Sequence, residues 1–235
     1  MKPSLLLLSG LLCDDTIWSD IPARLKDVAQ VSVVSFRGFN SLKAMADHAL
    51  AHAPAHFAVA GHSMGGRVAL EMIRAAPQRI VGLALLNTSV QAVRDGEPQS
   101  RALLLKLAYE HGMAALAQEW LPPMLAPNAA RRTEVLPHLK AMIERWSADD
   151  YAAQVHAMLL RPDAWSALAN VKVPTLLLSG SDDAWSPVSQ HELIQRHIPH
   201  ATLFEAHDAG HMSPIERPDA VALALREWLA SLPAN

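Results

Sequence analysis

A mostly parallel, doubly wound α/β sheet with one inserted helical cap is the fold class predicted for this 235-residue chain. Three observations predict it. Six short apolar runs recur along the chain, helix-like stretches separate most of them, and one long interval carries helical periodicity alone. Strands buried on both faces read as continuous apolar runs. Their alternation with helices implies a parallel sheet covered on both sides.

The first run, Leu5–Leu8, lies in a segment from Met1 to Cys13 that superficially resembles a secretory or lipoprotein signal. Only Lys2 precedes the short apolar stretch, and Leu12 is not the small residue that lipid attachment at Cys13 requires. A buried strand followed by a loop is expected instead. The next strand is Val31–Phe36, followed by a helix over Leu42–Ala53. Phe57–Ala60 and Leu83–Leu86 are strands on either side of a helix over Gly66–Ala75. Thr175–Leu178, entered through Val171-Lys172-Val173-Pro174, precedes a helix over Ser189–His197. Thr202–Phe204 is the last strand. In the final helix, Ala220–Ala230, Val221, Leu225, Trp228 and Leu229 recur at helical spacing, and Pro218 suits its first turn.

Between Asn87 and Asn170 no strand-like run occurs. Ala, Leu, Met and charged residues follow a helical period broken by Pro122-Pro123, Pro127, Pro137 and Pro162, so several short helices are expected. The division is a core of 1–89 and 171–235 and a cap of 90–170, lying over the C-terminal strand edge where open α/β sheets place ligands.

Composition narrows the function classes. With 51% hydrophobic residues the chain can bury one sizeable core. A formal net charge of −3, dispersed and without a basic stripe, argues against nucleic acid as a partner. The single cysteine, Cys13, forms no internal disulfide, which fits a reducing compartment such as the cytoplasm. No stretch approaches the length of apolar residues that a membrane span needs.

The chemistry is carried by Gly61-His62-Ser63-Met64-Gly65, which follows an apolar strand and precedes a helix. That is the context of a nucleophile elbow, a strained turn that exposes a serine hydroxyl above the sheet. The helix N-terminus behind Ser63 supplies free N–H groups and a positive dipole end. A serine nucleophile needs a base and the base an orienting acid, which follow an elbow in the order acid, then histidine. The acid belongs past the end of a later strand, where Asp182 and Asp183 stand. The base belongs in the loop after the last strand, where His207 and His211 stand.

On three motifs the chain resembles the α/β-hydrolase superfamily over nearly its whole length. They are Gly61–Gly65, the acid loop Gly180-x-x-Asp183-x-x-x-Pro187, and Gly210-His211 continuing through Glu216-Arg217-Pro218. The resemblance implies Ser63 as nucleophile, Asp183 over its neighbour Asp182 as acid, and His211 over His207 as base. It implies an oxyanion hole from the backbone N–H of Met64 and that of Leu11, although Ser9 stands where the superfamily often has histidine. Phe36-Arg37-Gly38 matches a structural turn. A serine at 63 disfavours the relatives with an aspartate nucleophile.

The implied activity is hydrolysis of a carboxylic ester or related acyl bond, a lactone or thioester, without cofactor or metal. Hydrolysis of carbon–carbon bonds in ring-cleavage products is the alternative enzyme reading, and a non-catalytic receptor is the alternative of another class. Within the insertion, Met113, Trp120, Met124, Met142, Trp146, Met158 and Trp165 read first as packing against the sheet. The first six are candidate pocket residues if the insertion lies over Ser63. Their adaptable apolar character favours a small-molecule substrate with an apolar group, and no cluster of arginine or lysine marks an anion pocket. His191-Glu192-Leu193-Ile194-Gln195 misses the second ligand of the zinc-protease helix and reads as a solvated face. His62 reads as packing beside the site, Cys13 as a small buried residue, and Asp208 as a loop hydrogen-bonder.

Overall fold

The computed structural model describes residues 2–127 and 130–233. Six strands, β1 (Ser4–Leu8), β2 (Gln30–Val34), β3 (Phe57–His62), β4 (Ile80–Leu86), β5 (Thr175–Gly180) and β6 (Thr202–Ala206), form one sheet in the order β2-β1-β3-β4-β5-β6. Every pairing is parallel. The inner strands are buried almost throughout, whereas the edge strands β2 and β6 are partly exposed. This is why the inner four are the clearest continuous apolar runs in the sequence. β3 and β5 extend two residues beyond the predicted runs, because His62 pairs with Leu86 and Gly180 with Ala206.

The helices are α1 (Ile21–Leu25), α2 (Leu42–His52), α3 (Met64–Ala75), α4 (Glu97–Trp120), α5 (Arg132–Glu144), α6 (Ala148–Leu159), α7 (Trp165–Leu168), α8 (Val188–His197), α9 (Ser213–Glu216) and α10 (Pro218–Ala230). α2 packs on α3, and α1 on α10. Ser41 caps α2 by accepting from the Ala44 N–H, and Ser147 with Asp150 forms a reciprocal capping box on α6. The chain leaves β1 toward β2, then crosses back to β3 and continues the other way. The order therefore reverses between β1 and β3, the place where such sheets bind ligands.

The insertion is a succession of helices, as expected. Within α4 two helical segments meet at a kink at Gly112, whose φ is 82°, and the one proline of α4, Pro98, lies in its first turn. Pro137 lies inside α5 without ending it, since Val135, Leu139, Met142 and Ile143 form a buried stripe that holds the helix in place. Among the described residues, no helix is long and apolar enough to cross a membrane.

Buried polar side chains tie the insertion to the sheet. Gln154 on α6 accepts from the Leu12 N–H at 2.7 Å and donates to the Phe36 carbonyl at 2.9 Å. Arg67 on α3 donates to the carbonyls of Ser89, Gln91 and Pro162. Replacing Gln154 with alanine leaves a buried N–H and a buried carbonyl without partners. Gln154→Ala is expected to lower the unfolding free energy by about 2–4 kcal/mol in a denaturant titration, and a change inside about 0.5 kcal/mol would show that the contact is dispensable.

Candidate active site

The site begins at the C-terminal end of β3. Ser63 has φ 53°, a left-handed conformation rare for a residue with a side chain. The turn is held by the Ser63 N–H donating to the Leu86 carbonyl at 2.9 Å and the Thr88 hydroxyl donating to the Ser63 carbonyl at 2.7 Å. A Cβ at Gly61 would lie 2.3 Å from the Gly65 carbonyl, and one at Gly65 would lie 2.2 Å from the Leu8 carbonyl. Only glycine at both positions lets β1, β3 and the start of α3 approach this closely. The Ser63 side chain is thereby lifted into a cleft of about 530 Å³.

Asp183 follows β5 and His211 follows β6, and both side chains are at most 5% exposed. His211 Nδ1–H donates to the Asp183 carboxylate at 2.9 Å. Its Nε2 is then free to accept from the Ser63 hydroxyl, which lies 2.9 Å away. Asp183 also accepts from Asn87 Nδ2 at 2.9 Å and from the N–H groups of Trp185 and Ser186 at 2.8 and 2.9 Å. Burial by itself would raise this carboxyl. The interaction with His211 and these hydrogen bonds outweigh it and hold the group well below the usual carboxylate range. Ser179 Oγ donates to the Ser186 carbonyl at 2.8 Å, stapling the acid loop.

The neighbours of these residues lie elsewhere. Asp182 is exposed and accepts from the Ser181 hydroxyl. His207 is 80% exposed beside Glu205. Asp208 is in the loop, paired with Arg217 at 3.0 Å. The backbone N–H groups of Leu11 and Met64 meet no acceptor among the described residues, and both residues line the cleft. Cys13 is buried, and burial pushes its thiol up, so it stays protonated.

Three corrections concern the surroundings. Trp120, Met124 and Met158 line the cleft with Ser63, but Met113, Met142 and Trp146 do not. Met142 is wholly buried in the core, Met113 packs on its border, and Trp146 lies under the Arg37 guanidinium, 4.3 Å from its ring centroid. The helical phase of α4 and α5 turns Met113 and Met142 away, and Trp146 lies in the connection between α5 and α6. His191 is not on a solvated face. It is fully buried on α8, where its Nδ1–H donates to the Pro187 carbonyl and its Nε2 accepts from the Thr88 N–H. Burial lowers it to about 4, so it is neutral. Lastly, arginines do gather here. Arg67, Arg94, Arg101 and Arg161 all line the cleft, a convergence hidden in the sequence because they come from separate elements.

Sequence reasoning missed Asn87 and Glu216 and undervalued His62. Asn87, with φ 48° at the end of β4, also bonds the Gly210 carbonyl and the Ser213 hydroxyl, joining the acid and base loops. Its signal was a polar residue directly after an apolar strand. His62 donates from Nε2 to the His211 carbonyl at 2.7 Å, and burial lowers it to about 3. The His211 N–H donates to the Met124 carbonyl at 2.6 Å, so the base loop is held from the sheet and from the insertion. Glu216 is buried beneath this loop and accepts from the N–H groups of Ala126 and Gly210.

The alpha/beta hydrolase family pattern matches residues 5–225. The chain belongs to the alpha/beta hydrolase family. Its relatives include hydrolases named as esterases and lactonases. It is 26% identical over 244 residues, spanning 96% of this chain and 98% of the relative, to a pimeloyl-[acyl-carrier protein] methyl ester esterase of Aromatoleum aromaticum. An enol-lactonase of Burkholderia xenovorans superposes with a TM-score of 0.88 at 25% identity, covering 98% of this hydrolase and 92% of that chain. A thermophilic esterase of Thermogutta terrifontis superposes with a TM-score of 0.87 at 28% identity, covering 98% and 90%.

Glu216 generates a pH prediction. Burial, only partly offset by its backbone hydrogen bonds, raises its carboxyl from 4.5 to about 7. The stability carried by the protonated form is complete below 4.5 and is lost as pH rises through about 7. Thermal unfolding followed from pH 4 to 8 is expected to lose this component in Glu216→Gln, giving a flatter profile than the unsubstituted protein. An unchanged slope would contradict the assignment.

Proposed function

We propose that the protein hydrolyses a carboxylic ester or related acyl bond, a lactone or thioester, through a covalent acyl-enzyme. The observation that carries this reading is the continuous chain of hydrogen bonds from Ser63 through His211 to Asp183, opening into the cleft. In the first step Ser63 Oγ attacks the acyl carbonyl carbon while His211 Nε2 takes the hydroxyl proton. Asp183 holds the imidazole with Nδ1–H turned inward and stabilises the imidazolium. Its depressed protonation keeps it ionised throughout this exchange. The negative charge on the carbonyl oxygen is received by the N–H groups of Met64 and Leu11, which have no other acceptor among the described residues. The first also lies at the N-terminus of α3, where the helix dipole adds to the effect.

His211 then returns its proton to the departing alkoxide or thiolate. A water that gives its proton to His211 attacks the acyl-enzyme, and collapse of the second tetrahedral species restores Ser63. Residues 90–170 serve as a cap. Trp120, Met124 and Met158 give the cleft an apolar wall for the acyl or alcohol group of the substrate. Relatives named as an ester esterase and an enol-lactonase support an ester or lactone as the bond cleaved.

The test compares single variants on a panel of p-nitrophenyl esters and lactones. Ser63→Ala is expected to lose roughly 10⁴-fold or more in kcat. Asp183→Asn is expected to lose roughly 10³–10⁴-fold, because a neutral partner favours the wrong imidazole tautomer. Asp182→Asn, at an exposed side chain, is expected to stay within a few-fold of the parent. Half-maximal kcat in Ser63→Ala would overturn the nucleophile, and a crippled Asp182 variant would overturn the acid.

A further inference from the structure

We infer that the substrate carries a negatively charged group, a carboxylate or one of its isosteres, bound at the end of the cleft formed by Arg94 and Arg101. The inference rests on the hydrolase reading above and deepens it. Four guanidinium groups line the cleft against two carboxylates, Asp95 and Glu97, in a chain whose formal net charge is −3. An acidic protein has therefore gathered positive charge at the one cleft that holds Ser63. A cleft with low-dielectric walls focuses such a field on anything that enters.

The four arginines are not equivalent. Arg67 is buried and committed to the carbonyls of Ser89, Gln91 and Pro162. Arg161 is 5% exposed and spends its donors on Glu97 and on the carbonyls of Gln91, Ala92 and Met158. Both serve the architecture. Arg101 shares the Glu97 carboxylate, which it meets through Nε and Nη2 at 2.8 Å, so one carboxylate answers two guanidinium groups. Arg94 is exposed, and its guanidinium bonds only neutral amide oxygens, those of Gln91 at 3.2 Å and Gln190 at 3.4 Å, while its backbone N–H donates to Glu97 at 3.3 Å. Nη1 of Arg94 and Nη1 of Arg101 have no acceptor among the described residues. Two guanidinium edges with unused donors, that of Arg94 meeting no carboxylate among the described residues, are matched by the planar oxygens of a carboxylate. Glu97 is held ionised well below its usual range, at about 2, despite burial that opposes this, by Arg161 and Arg101. It aligns Arg101 rather than competing as a proton donor.

The same cleft is lined by Leu104, Trp120 and Met124. An acyl chain that reaches from Ser63 past these side chains to Arg94 and Arg101 would be apolar in the middle and anionic at its tip. A half-ester of a dicarboxylic acid, or a lactone with a pendant carboxylate, has that form.

Two measurements on the intact protein decide the question. The first is kcat/KM for mono-p-nitrophenyl glutarate and adipate against neutral p-nitrophenyl esters of equal chain length, at low and high salt. The second, independent of turnover, is binding of adipate against adipamide, read from tryptophan fluorescence, since Trp120 and Trp185 line the cleft. The acid-tailed esters are expected to be preferred by about tenfold or more at low salt, and adipate to bind where adipamide does not. Arg94→Gln with Arg101→Gln is expected to abolish both preferences, and Arg94→Gln alone to reduce them should the double variant not fold. Neutral esters cleaved as well as acid-tailed ones, with adipate and adipamide alike, would overturn this inference and leave hydrolysis standing. Adipate binding that requires Arg94, with no ester cleaved, would uphold the anion site and overturn the hydrolase reading.

Discussion

The close approach of three backbone segments at Ser63 is the constraint on which the rest of the structure depends. Gly61 and Gly65 let the turn after β3 press against the end of β1 and the first turn of α3, leaving no room for a Cβ at either position. This compression holds Ser63 at a positive φ that its side chain alone would disfavour. It also sets the Leu11 and Met64 N–H groups around the same cleft. Because the strand order reverses between β1 and β3, this is the point in the sheet with open space above its C-terminal edge. The strain at Ser63 is thus sustained by the buried inner strands of the sheet, and the cleft is a consequence of the topology.

A second constraint is the buried charge of Asp183. A carboxylate removed from water requires compensation by charge and hydrogen bonds. Here four donor groups, from His211, Asn87, Trp185 and Ser186, converge on two oxygens. Asn87 is the hinge of the arrangement, since the same amide also ties the loop that carries His211. The base loop is in turn fastened by His62 from the sheet and by the Met124 carbonyl from the insertion. The segment between β4 and β5 therefore does more than line the cleft. It supplies one of the anchors for His211 and, through Gln154, orients the loop that contains Leu11 and Leu12.

What the sequence revealed follows from range. The inner strands were legible because burial on both faces leaves continuous apolar runs. The elbow was legible because a tight turn demands glycines at fixed offsets. Asp183 and His211 were separable from Asp182 and His207 only through the spacing of family motifs, and the structure places the first pair together and the second pair in solvent. Contacts between distant elements left no local trace. His191 looked like a surface residue because its neighbours Glu192 and Arg196 are polar, yet its own side chain points inward. The four arginines of the cleft come from α3, the loop after β4, α4 and the segment after α6, so no window of sequence contains all of them. The pocket residues failed for a related reason. Met124 and Met158 face the cleft and Met113 and Met142 do not, and each of the four lies on a different element whose phase the sequence leaves open.

The central claim is that this packing yields one activated serine. The most direct measurement is reaction with a fluorophosphonate, followed by intact mass and peptide mapping. The account predicts a single adduct on the peptide containing Gly61–Gly65, absent in Ser63→Ala and much slower in His211→Ala. No adduct on the folded protein, or one on a different residue, would contradict it.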